Sequence, residues 1–346
     1  MSEKPTIRWG IIGTGLISSW FAADLSIPRP DAEANHIIQA IGSSSHEKGK
    51  KFVETHIPGT SPAIGTYEQV YADPNVDIVY IGTPHAFHHQ NCLDAIRHGK
   101  HILCEKAFTL NVAEASEVFE AAVKKGVFVM EAMWTRFFPL TKSLQKLLRK
   151  DKVIGDVKRV FCDFGMKQDT SALPADSRLK NPALGAGSLL DIGIYSVTWG
   201  LIGFGQQTEK PKIAAWQHLI DGVDIASSMI LSFPQGQQGI LTSTTFTKTP
   251  SSFCRIEGTR GAVVVEGFVT SLPQSFTVYL DGDEEPKKHE FKQPGKGFYW
   301  EADAVAVDIA AGRNQNEVMP WAETIRVLEI LDEVRRQGGA RIPQEA

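Results

Sequence analysis

The sequence predicts an α/β protein: a doubly wound parallel sheet first, then an α+β domain with an open, largely antiparallel sheet. Three observations predict it. The first third alternates short β-rich runs with helix-like stretches, the pattern of a parallel sheet covered on both faces. A glycine-bearing turn, Gly13-Thr14-Gly15, joins the first strand to the first helix. Beyond about Phe138, strands follow one another with few helices between them, which implies antiparallel pairing.

In chain order, Ile7–Ile12, His36–Ile41, Asp77–Ile81, His101–Leu103 and Val127–Met130 read as the strands of the first domain. Ser18–Leu25, His46–Thr55, His88–His98 and Val112–Lys124 read as its helices. Asp73-Pro74-Asn75 is a turn signal, and Gly99 ends a helix with a residue free to take positive φ. In the second domain, a helix at Leu140–Arg149 precedes strands at Ile213–Ile220, Ala226–Phe233, Ile240–Thr247, Ala262–Val265 and Phe276–Leu280. The last of these runs into the turn Asp281-Gly282-Asp283. Leu189–Leu201 is an apolar helix on that sheet. Helices at Trp300–Ala311 and Trp321–Gln337 follow. The latter starts at Pro320, stops at Gly338-Gly339 and carries one apolar stripe of Ile325, Leu328, Leu331 and Val334. The domains divide as 1–130 and 131–346, with the last helix able to pack back on the first, and a cleft between them is the default site.

At 346 residues the chain has room for two cores, and its 42% hydrophobic and 22% charged composition is that of a globular protein. A net charge of −4 without blocks of like charge argues against capture of nucleic acid. The apolar stretches read as too short to span a membrane, and no basic segment feeds an apolar core at the N-terminus. Cys92, Cys104, Cys162 and Cys254 are far apart in sequence and read as buried free thiols in a reducing compartment, so the expected location is the cytoplasm. The ten histidines form no cluster with metal spacing, and no metal is expected.

The first turn supports a Rossmann reading. Gly13 makes the tight turn, Gly15 lets backbone approach a pyrophosphate, and Thr14, Leu16 and Ile17 complete a loop that opens a helix. Ser18 replaces the usual third Gly or Ala and is small enough to keep helix and strand close. After the second strand, Gly42-Ser43-Ser44-Ser45-His46 carries no carboxylate to repel a 2′-phosphate. Ser43, Ser44, Ser45 and Lys48 can hold one, which favours NADP over NAD. Read structurally, the same stretch is a serine-rich turn and helix cap.

Two further stretches carry a resemblance. Thr83-Pro84-His85-Ala86-Phe87-His88 and Gly99-Lys100-His101-Ile102-Leu103-Cys104-Glu105-Lys106 resemble the signature of the Gfo/Idh/MocA oxidoreductase family. The segments Met130–Pro139 and Leu190-Asp191-Ile192-Gly193-Ile194-Tyr195 are similar to the branch holding dimeric dihydrodiol dehydrogenases and NADP-dependent D-xylose 1-dehydrogenases. Gly222-Val223-Asp224, Glu301–Val305 and Met319-Pro320-Trp321 extend the likeness over nearly the whole chain.

The resemblance implies hydride transfer between a nicotinamide and a carbon bearing the substrate hydroxyl, without a metal. It makes Lys106 the active-site lysine and Tyr195 the general acid/base. A tyrosine of ordinary pKa about 10 needs a neighbouring ammonium to exchange protons near neutrality. Ala107 stands where the family usually has proline. Thr83, Pro84, His85, His88 and Glu105 fall in the cofactor-binding stretches, although His88 can equally serve the helix start. Asp191, one helical turn before Tyr195, either holds a substrate hydroxyl or orients the tyrosine. Trp134 and Arg136 are substrate-pocket or packing residues, and Arg178 is a further substrate contact. Phe298, Tyr299 and Trp300 read as core or subunit contact.

The substrates implied are a cyclic polyol, D-xylose or another aldose going to its lactone, or a trans-dihydrodiol. A reductase of a ketose or anhydro-sugar, or a non-catalytic NADP-binding regulator, stays open beside them. The resemblance also implies a homodimer, formed through the open sheet.

Overall fold

A computed structural model describes residues 4–170, 172–205, 209–282 and 285–343; Asp283 of the turn expected after Leu280 lies outside them. The chain divides into two compact units. One holds the residues through Phe137 together with Gln293–Ile325, the other Phe138–Lys292 and the residues from Arg326 on.

The first unit is built on β1 (Thr6–Ile12), α1 (Leu16–Leu25), β2 (Asn35–Gly42), α2 (His46–His56), β3 (Ala63–Gly65), α3 (Tyr67–Ala72), β4 (Ile78–Ile81), α4 (His88–Arg97), β5 (His101–Glu105), α5 (Val112–Lys125) and β6 (Val129–Ala132). Its sheet is wholly parallel, ordered β3-β2-β1-β4-β5-β6. The strand order reverses between β1 and β4, and open α/β sheets bind their ligands beyond the carboxyl ends of such a pair. All four residues of β4 are buried, as a central parallel strand covered on both faces requires. Helix α5 shows why these helices form: Asn111 caps it by accepting the Glu114 N–H, Ala115, Val118, Phe119 and Ala122 line its buried face, and Gly126 closes it at φ +74°. The sequence reading omits β3 and α3, which are short.

The second unit opens with α6 (Pro139–Gln145), prolonged by a π-helical turn, Lys146–Lys150. Then come β7 (Val157–Gly165), a π-helical turn at Leu189–Gly193 that continues into α7 (Ile194–Phe204), β8 (Lys212–Ile220), β9 (Val223–Ser232), β10 (Gln238–Thr244), β11 (Ser252–Gly258), β12 (Gly261–Val269), β13 (Leu272–Leu280) and β14 (Lys287–Glu290). The eight strands run β14-β13-β12-β11-β7-β10-β9-β8. β7 and β10 are parallel and the other neighbours antiparallel. Every residue of α7 is buried, and a Cβ on Gly203 would meet Val160 at 2.8 Å, so glycine lets the helix settle on β7. Contrary to the sequence reading, one stretch, Pro182–Phe204, is long and apolar enough to cross a membrane. With 89% of its most apolar window buried, it is the core helix of this unit.

After β14 the chain rejoins the first unit through α8 (Tyr299–Ala310) and the start of α9 (Trp321–Gly338). This departs from a division at residues 130/131, and buried polar contacts explain it. Asp303 on α8 accepts from Arg29 at 2.6 Å and from the Glu33 N–H at 3.1 Å, and His36 Nε2 lies 2.9 Å away. Asp24 accepts the N–H groups of Lys296, Gly297 and Phe298.

Candidate active site

At the end of β1, Gly13 has φ +91°, and a Cβ there would press on the Gly82 carbonyl and the Thr83 methyl, both at 3.3 Å. The following helix, α1, has neither a side-chain cap nor an acidic residue in its first turn. Its orphan N–H groups therefore face outward beside a close-approach glycine, a fit for a pyrophosphate. Ser18, at the third position of the motif, is wholly buried, and a Cβ on Gly82 would lie 2.2 Å from its Oγ. The close helix–strand approach that a third glycine ordinarily permits is here shared between a serine on α1 and a glycine after β4. Gly82 was missed by the sequence reading; its signal was a glycine directly following a wholly apolar strand.

Beyond β2, Thr14 Oγ1 and Ser43 Oγ lie 3.4 Å apart. Ser45 caps α2 by accepting the Lys48 N–H at 3.2 Å, so the cap reading of this stretch holds for that residue. The Lys48 ammonium donates to Ser44 Oγ at 3.2 Å, which brings a cation and a hydroxyl together at an exposed strand end.

Beyond β4 and β5, His88 is wholly buried at the start of α4. Its Nδ1 lies 2.9 Å from the Ala107 carbonyl and its Nε2 2.8 Å from the Thr83 carbonyl. Burial lowers its pKa and outweighs the backbone contacts to Thr83, Ala107 and Phe108 that raise it. Thr83 Oγ1 also accepts from Asn91 at 3.1 Å, a contact not anticipated from sequence. Pro84 precedes a short 3₁₀ turn, and the His85 ring meets His88 edge-on at 5.7 Å. Lys106 is joined to Ala107 by a cis peptide bond.

Glu105, the residue before this lysine, is buried. It accepts the Tyr80 hydroxyl at 2.6 Å and the backbone N–H of Lys106 at 3.2 Å. Burial, and then the Glu105 charge, raise the pKa of Glu301 well above the carboxylate range. Both Glu301 oxygens lack a hydrogen-bond partner among the described residues. Trp134 and Arg136 belong to the first unit and are buried there. Trp134 stacks on Phe298 at 4.2 Å, and Arg136 pairs with Glu323. Phe298 and Tyr299 are core residues, as expected.

In the second unit Tyr195 lies in the first turn of α7, buried, with its ring edge against Phe164 at 5.6 Å. Asp191 stands four residues earlier and pairs with the half-exposed Arg178 at 3.3 Å. Asp191 also lines a cavity with Gln168, Thr170, Ser188 and Asp224. At about 20 Å³ the cavity admits a water but not a sugar ring. The four cysteines are free and buried, and no group of three or more histidine, cysteine or acidic side chains among the described residues could hold a metal.

Residues 7–133 match the oxidoreductase family model with an NAD-binding Rossmann fold, and residues 142–264 match the GFO/IDH/MocA C-terminal domain. Over 98% of its length the chain is 35% identical to the D-xylose 1-dehydrogenase (NADP(+)) of Hypocrea jecorina, covering 94% of that protein. It is 33% identical to the trans-1,2-dihydrobenzene-1,2-diol dehydrogenase of Homo sapiens, covering 98% of this chain and 99% of that one. Among solved structures, the aldose-aldose oxidoreductase of Caulobacter crescentus superposes with a TM-score of 0.82 at 26% identity, over 96% of this chain and 98% of that one.

Proposed function

Because this chain belongs to the Gfo/Idh/MocA oxidoreductase family, we propose that it is an NADP-dependent dehydrogenase of a cyclic polyol. The substrates proposed are D-xylose or a related aldose, oxidised at the anomeric carbon to the lactone, and trans-dihydrodiols. The observation that carries this reading is full-length likeness to an NADP-dependent D-xylose 1-dehydrogenase and to a trans-dihydrodiol dehydrogenase.

Gly13, Gly15 and the uncapped start of α1 would hold the pyrophosphate, and Ser43, Ser44 and Lys48 the 2′-phosphate. When bound, the nicotinamide supplies the hydride acceptor. The chain's own part is proton management. In the oxidative direction Tyr195 takes the hydroxyl proton as hydride leaves the same carbon, and Lys106 stabilises the phenolate form of the tyrosine. Asp191 and Arg178 orient a second substrate hydroxyl; Thr83, Pro84, His85 and Glu105 shape the nicotinamide end of the cofactor site.

We propose further a homodimer formed through the open sheet, supported by exposed apolar side chains on β8 and β9. Trp216 is 77% exposed, and Ile220 and Ile230 44% and 45%. Buried free thiols support a cytoplasmic location.

The test is near-ultraviolet absorbance of reduced nicotinamide, with NADP⁺ and D-xylose, other aldoses or a trans-dihydrodiol, and NAD⁺ alongside. Turnover with NADP⁺ that Tyr195→Phe and Lys106→Met each abolish is the expected result. Silence in every well, or a fully active Tyr195→Phe enzyme, would overturn it. Sedimentation of the wild type as a monomer would overturn the dimer.

A further inference from the structure

The helical run that carries Tyr195 is not capped in the ordinary way. Ser188 stands at its N-cap but makes no cap hydrogen bond of its own. Its hydroxyl instead donates to Asp224 Oδ2 at 2.8 Å. The Leu189 N–H, an orphan donor of the first turn, goes to the same oxygen at 2.7 Å, and Ser227 Oγ donates to it at 3.0 Å. The cap is thus supplied from β9, thirty-five positions along the chain from Leu189.

Around this oxygen the polar groups are satisfied in series. Gln217 Nε2 donates to Ser227 Oγ at 3.0 Å, and Ser188 and Ser243 hydroxyls lie 3.1 Å apart. Since the Ser188 proton is committed to Asp224, Ser243 is the donor of that pair. Oδ1 faces Gly187, where φ is +142° and a Cβ would fall 2.1 Å away, so the loop before the helix is shaped to the carboxylate.

We infer that Asp224 is a positioning residue for the acid/base tyrosine: its carboxylate fixes the start of the helical run from Leu189, and with it the height and rotation of Asp191 and Tyr195. This rests on the assignment of proton transfer to Tyr195. An anion at a helix N-terminus is favourable, but a 4% exposed carboxylate is a costly way to obtain packing alone. Burial pushes Asp224 up to about 6 in spite of its donors. The other ionisable group lining the adjoining cavity is Asp191, paired with Arg178.

The experiment compares wild type, Tyr195→Phe and Asp224→Asn with NADP⁺ and the best polyol substrate. Asparagine keeps an acceptor for the Leu189 N–H but carries no charge. Asp224→Asn is expected to lower kcat about ten- to hundred-fold, as a misplacement near 1 Å does. It should shift the Tyr195 limb of the pH–rate profile and leave the KM for NADP⁺ within about two-fold, because the dinucleotide loop belongs to the first unit. If wild type turns over, Tyr195→Phe is inactive and Asp224→Asn keeps both kcat and pH profile, the positioning role is overturned and the proposed function stands. If wild type is silent or Tyr195→Phe is active, it is the functional reading that fails, and Asp224 loses its premise with it. Should Asp224→Asn not fold, Ser227→Ala removes one donor and keeps the charge. A few-fold loss of kcat with the same pH shift supports the role, and unchanged kinetics overturn it.

Discussion

The His88 ring lies 2.9 Å from the carbonyl of Ala107, the residue that follows Lys106. Through its other nitrogen, 2.8 Å from the Thr83 carbonyl, the same ring links the loop after β4 to the loop after β5. A small residue at position 107 needs such a tie, since nothing in its own side chain restrains the backbone beside Lys106.

His88→Ala is therefore expected to cost about 1–3 kcal/mol of stability, the cost of leaving a buried carbonyl unpaired. It should also lower turnover by more than it weakens cofactor binding. Urea denaturation and steady-state kinetics read the two effects. A variant with wild-type kcat would show that the Lys106 loop holds its place without the imidazole.

The close approach of Ser18 and Gly82 makes a coupled prediction. Gly82→Ala puts a methyl 2.2 Å from the buried Ser18 Oγ and 3.0 Å from the Tyr80 ring. Overpacking of this kind costs about 1–3 kcal/mol. Ser18 Oγ has no hydrogen-bond partner among the described residues, so Ser18→Ala alone should be close to neutral. The Ser18→Ala/Gly82→Ala protein should recover much of the loss. Strictly additive free energies in the four-protein cycle would refute the contact.

Lys48 tests the cofactor reading. Its ammonium stands 3.2 Å from Ser44 Oγ at the end of β2, where no carboxylate awaits a ribose 2′-hydroxyl. Lys48→Ala should raise the KM for NADP⁺ about three- to ten-fold, the loss of one charge-assisted contact to phosphate, and leave that for NAD⁺ unchanged. An equal effect on both cofactors would mean that Lys48 only serves the start of α2.

Much of this was legible in the sequence, for identifiable reasons. Strands β1, β2, β4 and β5 and helices α1, α2, α4 and α5 announce themselves because a doubly covered parallel sheet needs apolar runs and amphipathic helices in alternation. The glycine turn at Gly13 could be read because positive φ leaves few choices of residue. Strands β7 and β11 were not legible. They are central neighbours in the second sheet, yet Lys158, Arg159, Asp163, Arg255 and Glu257 break their apolar runs. On the outer face Arg159 and Arg255 bracket Phe161, at 5.0 and 4.3 Å, so those charges cover an aromatic ring. Nor did anything local show that Asp303 would meet Arg29 and His36, more than 260 positions away, and so return α8 to the first unit. The candidate site residues were read from motifs. What holds several of them, namely His88 to Ala107, Tyr80 to Glu105 and Asp224 to Leu189, is long-range pairing that no spacing rule encodes.

Glu131 gives the pH dependence a defined sign. It is 1% exposed on β6 and accepts the Phe108 N–H at 3.1 Å. Burial lifts it from 4.5 to about 7, against the opposing pull of Thr324, that N–H and Arg136. The folded protein then holds a proton between pH 4.5 and 7 that the unfolded chain has released. A raised folded pKa contributes stability that is fully present below the unfolded value and lost as pH rises through the folded one. Across this window the group's contribution falls by about 3 kcal/mol. Glu131→Gln keeps an acceptor for Phe108 and cannot ionise, so its stability should decline less from pH 5 to pH 8. Asp224 and Glu301, both shifted the same way, leave a residual slope. Urea denaturation of both proteins at the two pH values decides the matter: parallel declines would mean that Glu131 is already ionised in the folded protein at pH 5.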